Sequence, residues 1–130
     1  MSRLRSFLRY LWVSPASLVG LLVALCAYVC GARGRWVDGV LEVAGGALAT
    51  IKSSIPFRAI TLGHVIIGVE HATLAHCRKH EHVHVRQYER WGAFFFALYL
   101  GASLVAALSR RHPYWDNYFE REAYREDDQD

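Results

Sequence analysis

The stretch RKHEHVHVRQYERWG, residues 78–92, joins a dense histidine cluster to the periodicity of a helix. Residues within this stretch and just before it recur every three or four positions, the spacing of one helical face: Leu74, Cys77, Glu81, Val85 and Tyr88. We therefore predict an α-helix that begins near His71 and breaks near Gly92. The neighbouring elements follow from these two limits.

Residues 36–69, which precede this helix, have the composition of β-strands. WVDGVLEVAGGALATI, residues 36–51, alternates aliphatic with small or polar residues, and its Asp38-Gly39 and Gly45-Gly46 pairs suit tight turns. FRAITLGHVIIGV, residues 57–69, is rich in β-branched residues and punctuated by glycine. These patterns predict a small antiparallel β-meander.

Two further helices are expected after Gly92. Residues 93–108 form an apolar run of helical length, and SRRHPYWDNY, residues 109–118, has loop composition. Asn117 is a suitable N-cap for a short final helix, YFEREAYRED. The predicted fold class is therefore α+β, with a small sheet between apolar helices.

Hydropathy and charge indicate a membrane protein rather than a nucleic-acid-binding one. The 130 residues are 53% hydrophobic, and residues 10–32 and 91–109 contain no Asp, Glu, Lys, Arg or His. Apolar segments of about 20 residues are typical of membrane helices. The net charge is only +3, and arginines flank the first apolar segment on both sides. We predict a basic arm and anchor helix over residues 1–32, an undecided membrane orientation, and no nucleic-acid partner.

His80, Glu81 and His84 form an HExxH pattern, which suggests a metal site. Residues four apart lie on the same helical face, so both imidazoles can bind one cation. Two imidazoles and a carboxylate suit zinc, with a fourth position for a water whose pKa falls toward neutrality. Glu81 then serves as the general base. The simpler alternative is a polar helix that is rich in histidine.

HEHVHVRQYERWG followed by DNYFEREAY resembles the gluzincin type of zinc peptidase, in which a glutamate on a later helix is the third ligand. The chain is most similar, over residues 57–124, to small bacterial membrane-associated proteins with HExVHVRQYERWG and DNxFEREA motifs. The resemblance implies a zincin-like domain over residues 33–130, with Glu120 as third ligand and Glu122 as the other candidate. It also implies a place at the bacterial inner membrane. Tyr124 stands where related peptidases have an aspartate.

A third ligand at Glu120 requires the chain to reverse direction near Gly92. A straight helix over residues 80–108 would place its far end about 42 Å from His80. The residues from Leu108 to Glu120 could barely span that distance at about 3.4 Å each. We therefore expect the apolar helix to pack back on the domain or lie along the bilayer, and not to cross it.

These patterns leave three hypotheses about function. The first is a membrane-anchored zinc metallopeptidase or peptidase-like protein, with a peptide substrate pairing along a strand edge in residues 61–68. The second is a non-catalytic metal-binding membrane protein for sensing, storage or delivery, in which either the site has no water to activate or His82 and Cys77 fill the open position. The third is a structural membrane adaptor without metal. Zinc and membrane lipid are the expected cofactor and partner of the first.

Overall fold

The computed structural model describes residues 2–55 and 57–127. Within these ranges the chain forms helices and strands in this order: α1 (Arg3–Val29), β1 (Arg33–Val37), β2 (Val40–Ala44), α2 (Ala47–Thr50), β3 (Ala59–Leu62), β4 (Val65–Gly68), α3 (His71–Trp91), α4 (Phe95–Leu108) and α5 (Tyr118–Asp127). A single 3₁₀ turn, Gly92–Phe94, joins α3 to α4. The predicted α+β class is confirmed.

The four strands form one mixed sheet in the order β1-β2-β4-β3. The pairs β1–β2 and β3–β4 are antiparallel, but β2 and β4 run parallel, with Leu41 opposite Val65 and Ala44 opposite Gly68. The predicted antiparallel meander is therefore wrong at its centre. The chain crosses over through α2 after β2, so that β3 takes the outer edge and β4 returns between β2 and β3.

The position of β4 follows from its side chains. All four of its residues are buried, and Ile66 and Ile67 are only 1% and 2% exposed. An aliphatic strand that is buried on both faces is most stable in the interior of a sheet, between two partners and under helices. One face is covered by α1 and the other by α3.

Helix α1 packs closely against the sheet. Gly20 lies so near β3 that a Cβ atom there would stand 2.7 Å from the carbonyl oxygen of Leu62. Ala24 and Ala27 join Val43 and Val65 in one hydrophobic cluster. The predicted anchor helix thus ends beside the expected boundary at residue 32, and it also supplies part of the core.

The chain reverses after Gly92, as predicted. Gly92 has φ +61°, a conformation that glycine adopts without a steric penalty. In one straight helix, His84 and Tyr99 would be separated by about 22 Å along the axis. Their ring centroids are instead 6.3 Å apart. α4 therefore turns back and brings Tyr99 over the motif helix.

Among the described residues, two helical stretches are long and apolar enough to cross a membrane: α1, and His71–Leu108, which contains α3, the 3₁₀ turn and α4. Most of each apolar stretch is exposed on the protein surface. Exposed apolar helices of this length are consistent with contact with lipid.

Candidate metal centre

The motif helix α3 places His80 and His84 on one face, one turn apart. Their ring centroids are 5.0 Å apart, and the two residues are only 5% and 6% exposed. Burial on this face follows from the packing of α3 between the sheet and α5. The two imidazoles of the HExxH pattern are therefore adjacent and shielded from solvent, as the spacing predicts.

Glu120, from the first turn of α5, completes the group. Its Oε1 atom lies 3.0 Å from Nε2 of His80 and 3.0 Å from Nε2 of His84. Among the described residues, these three form a group whose ligand atoms all lie within 4.8 Å of one another. Ligand atoms around a tetrahedral zinc ion are about 3.3 Å apart, given bonds of about 2.0 Å. The group is thus close to the size that a metal ion requires.

The carboxylate of Glu120 is held by contacts on both oxygens. The Tyr99 hydroxyl donates to Oε2 at 2.5 Å, while Oε1 faces the two imidazoles. Burial raises the pKa of Glu120, but hydrogen bonds from His80, His84 and Tyr99 outweigh it and lower that pKa to about 2. The carboxylate is therefore ionised near neutral pH and available to a cation.

Gln87 orients His84 toward the centre. Its Oε1 accepts a hydrogen bond from Nδ1 of His84 at 2.8 Å, and its amide group donates to the carbonyl oxygen of Phe119 and to Glu122. Gln87 holds one proton on Nδ1, so that loss of the Nε2 proton, which faces Glu120, leaves the lone pair of His84 on Nε2 for a cation. Gln87 follows His84 by three residues on the same helical face, a spacing that could have marked it in the sequence.

Glu122, the other candidate for the third ligand, lies outside the group. Its Oε1 accepts from the amide of Gln87 at 2.8 Å, and its Oε2 is 3.8 Å from Arg90. It therefore acts on the centre through Gln87 and His84. The structure brings together the three predicted ligands and leaves Glu122 as a supporting residue.

His80 is supported differently from His84. Its ring packs on Tyr124 with the centroids 4.2 Å apart, and Nδ1 of His80 is buried without a hydrogen-bond partner among the described residues. Tyr124 directs its hydroxyl to Tyr114 instead, at 2.8 Å. Tyr124, which stands where related peptidases have an aspartate, thus holds the ring by packing and provides no acceptor for Nδ1 of His80.

Glu81 lies next to the three ligands and is held by the sheet. The Thr61 hydroxyl on β3 donates to Oε2 of Glu81 at 2.6 Å. This contact leaves Oε1 of the same carboxylate for another donor. Thr61 was predicted only as part of a strand, because its separation of 20 positions from Glu81 hides their contact from sequence patterns.

The predicted site residues share one pocket of about 760 Å³, a size typical of ligand-binding clefts. Glu81 and the three ligands line it together with eight aromatic residues: Phe57, Tyr88, Phe95, Phe96, Tyr99, Tyr114, Trp115 and Tyr124. The edge strand β3 forms one wall through Ala59, Ile60 and Thr61. The predicted strand edge over residues 61–68 is thus wrong for β4, which is interior.

The other polar residues considered from the sequence occupy different places. Cys77 lines the same pocket, one turn before His80. His82 lies on another face of α3, 3.7 Å from Glu42, and cannot share the centre with His80. His64 is paired with Glu89 at 3.0 Å, away from this pocket.

No family model, curated protein or solved structure matches this chain. The chemistry of the site is therefore assessed from its own residues. Two imidazoles and one ionised carboxylate, all buried, form a donor set that suits a divalent transition metal. Nε2 of His80 and Nε2 of His84 both point to the same oxygen of Glu120, which fits imidazoles that bind a cation through Nε2.

Proposed function

We propose that this protein is a membrane-attached zinc metallopeptidase. The observation that carries the proposal is the convergence of His80, His84 and Glu120 in one buried group, with Glu81 beside them in the same pocket. Zinc is proposed because the donor set of two nitrogens and one oxygen leaves a coordination position open, which is typical of catalytic zinc sites.

A bound zinc ion would supply Lewis acidity, which polarises a peptide carbonyl and lowers the pKa of water. Glu81 would then act as the general base: the free Oε1 of its carboxylate accepts a proton from water in the pocket and passes it to the leaving amine. Thr61 keeps the carboxylate in place through its hydrogen bond to Oε2. The burial of Glu81, which is 8% exposed, excludes most competing water.

The edge strand supports a peptide as the substrate. β3 pairs with a strand on one side only, so its other edge is open to an extended peptide, except at Thr61, whose carbonyl oxygen accepts from the Tyr88 hydroxyl at 3.2 Å. The same strand forms a wall of the pocket, beside Glu81. The aromatic lining favours apolar side chains next to the cleaved bond.

A second function is supported by the environment of His80. Catalytic zinc sites usually have an acceptor that holds the far nitrogen of each histidine, and Nδ1 of His80 has no such partner. The Tyr99 and Tyr124 rings also enclose the centre. A non-catalytic metal-binding membrane protein, for sensing, storage or delivery, would use the same three ligands without hydrolysis.

Metal content and peptide cleavage together separate these functions. For the peptidase, we expect about one zinc per chain by elemental mass spectrometry, and cleavage of a fluorogenic peptide library. Glu81→Gln should abolish cleavage and retain zinc, because Glu81 is not a ligand. The matched control is His82→Ala, a histidine on the same helix, which should retain both.

Two outcomes would contradict the proposal. Stoichiometric zinc without cleavage in any preparation would favour the non-catalytic protein. The absence of zinc after metal-replete purification, with unchanged stability in His84→Ala, would favour the structural adaptor.

A further inference from the structure

The first helix is attached to the sheet over nearly its whole length. The Tyr10 hydroxyl donates to the carbonyl oxygen of Gly39, and Ser17 Oγ accepts from the backbone N–H of His64. Further along, Gly20 touches β3 and Ala27 is part of the core. α1 contacts every strand of the sheet. From Tyr10 to Ala27 this attachment extends about 26 Å, close to the thickness of the hydrocarbon layer.

This attachment is incompatible with α1 crossing a bilayer. A crossing α1 would carry the sheet to the same depth, including β1, an edge strand whose outer backbone groups have no strand partner. Arg33 and Arg35 on β1 are exposed and would enter the hydrocarbon with it. Unpaired strand edges and exposed arginines do not occur in contact with lipid chains, so the sheet must stay in water.

The side of α1 that faces away from the sheet is nevertheless apolar. Its exposed side chains include Leu11, Leu18, Leu22, Leu25 and Val29, which are 57% to 77% exposed. A groove of about 530 Å³ between Trp12 of α1 and Phe94 of the 3₁₀ turn continues this surface to the start of α4. On α4 the exposed side chains include Leu100, Leu104, Val105 and Leu108. We call these two outer faces and the groove between them the lipid face.

The charges on the two helices of the lipid face, and on the residues that directly flank them, have one sign. Residues 1–37 and 90–115, which contain α1 and α4, include no Asp or Glu. Arg3, Arg5 and Arg9 are exposed on the first turns of α1, and Arg110 and Arg111 are exposed directly after α4. Arginines next to an exposed apolar surface complement the headgroups of anionic lipids.

We propose that the lipid face lies in the plane of an anionic membrane, so that the protein is monotopic: α1 and α4 are embedded in one leaflet and neither crosses the bilayer. The sheet and α5 remain on the aqueous side. The inference rests on the membrane attachment included in the proposed function, and it is independent of metal binding and of hydrolysis.

Counting accessible cysteines per chain tests this topology for any mixture of orientations. The full chain with Cys26→Ser and Cys77→Ser retains Cys30 at the end of α1, and Ser2→Cys adds a thiol at its beginning. In proteoliposomes that contain phosphatidylglycerol, an impermeant polyethylene-glycol maleimide should add two labels or none to each chain. A crossing α1 would give one label per chain and would overturn the proposal.

Two controls keep the result unambiguous. Detergent should expose both thiols, and a second pair, Ser2→Cys with Arg33→Cys in a chain that also lacks Cys30, repeats the count if lipid shields Cys30. Failure of the protein to sediment with the vesicles would overturn both this topology and the proposed membrane attachment. Zinc content, measured on the same samples, reports separately on the metal site.

The lipid charge is tested by the arginines. Replacing Arg3, Arg5 and Arg9 by Gln should weaken binding to phosphatidylglycerol vesicles about tenfold or more. The matched control, Arg121→Gln with Arg125→Gln on α5, should bind unchanged. Equal binding by both variants would overturn the role of anionic lipid.

Discussion

Two polar clusters, each built around a buried carboxylate, lie on different faces of α3, and each includes side chains from the stretch RKHEHVH. The metal cluster is His80, His84 and Glu120, and the arginine cluster is Glu42, Arg78 and His82. Each contains one carboxylate that is almost completely buried: Glu120 is 4% exposed and Glu42 is 1% exposed. What differs is the group that compensates the charge.

In the arginine cluster the compensation is permanent. Nε and Nη2 of Arg78 donate to the two oxygens of Glu42 at 2.8 and 2.9 Å, a bidentate pair. A guanidinium has no lone pair to offer and does not lose its proton, so this cluster cannot accept a cation.

In the metal cluster the compensation is replaceable. Imidazoles that donate to Glu120 can lose a proton and present a lone pair to a metal, while the carboxylate stays ionised. A buried carboxylate next to arginine is therefore structural, and one next to histidines only is a candidate ligand site.

The largest expected effect is the loss of metal from one cluster only. His84→Ala and Glu120→Gln each remove a ligand, and the zinc content should fall from about one per chain to nearly none. Glu42→Gln, the corresponding change in the arginine cluster, should retain the metal. Elemental mass spectrometry on metal-replete samples measures all three, and zinc retained in Glu120→Gln would contradict the assignment of the third ligand.

The next effect concerns the stability of the arginine cluster. Arg78→Met leaves the carboxylate of Glu42 buried without its partner, and should lower the free energy of unfolding by about 3 kcal/mol. Adding Glu42→Gln to it removes the uncompensated charge and should restore part of that loss. Chemical denaturation in detergent micelles measures both. If the double variant is less stable than Arg78→Met, the loss in Arg78→Met does not come from the uncompensated charge of Glu42.

A smaller effect is expected when the residues that hold a ligand in place are changed and the ligands themselves are kept. Gln87→Leu removes the acceptor that holds Nδ1 of His84, and should weaken zinc binding about 10- to 100-fold. Glu122→Gln leaves that acceptor in place and should weaken binding less. Competition with a chromophoric chelator gives both affinities, and equal losses would mean that Glu122 acts on the metal more directly than through Gln87.

The comparison also shows what local sequence determines. The limits of α3 and the start of α5 were predicted because their signals are local. Gly92 ends one helix, and Asn117 caps the other by accepting from the backbone N–H of Phe119 at 2.8 Å. The pairing of β2 with β4 was not predicted from the sequence, because both strands are apolar enough to pair with any neighbouring strand. Their order depends on how the whole chain covers the sheet.

The same limit applies within the two clusters. The spacing of His80 and His84 places them together without further information. The third ligand at Glu120 followed only from a resemblance, and the bound on chain length then required the reversal near Gly92. Glu42 lies thirty-six residues before Arg78, and no spacing rule connects them. Contacts of this kind arise from the tertiary fold, which is why the arginine cluster was missed.

The smallest expected effect is the contribution of the Glu42 carboxylate to the free energy of unfolding, which is lost at acid pH. Burial raises the pKa of Glu42, but its hydrogen bonds to Arg78 and the charges of Arg78 and His82 outweigh it, so this pKa lies below its usual value of 4.5. A carboxyl whose pKa is lowered on folding stabilises the fold fully above its unfolded pKa, and that contribution is lost as the pH falls through the folded pKa. The unfolding free energy of the metal-free protein should therefore decrease below pH 4.5, and less steeply in Glu42→Gln.

Glu126→Gln, which breaks an exposed pair with Arg86, should leave the slope unchanged, because surface ion pairs contribute little. An equal slope in Glu42→Gln and wild type would mean that folding does not lower the pKa of Glu42. The two clusters would then differ in metal binding alone.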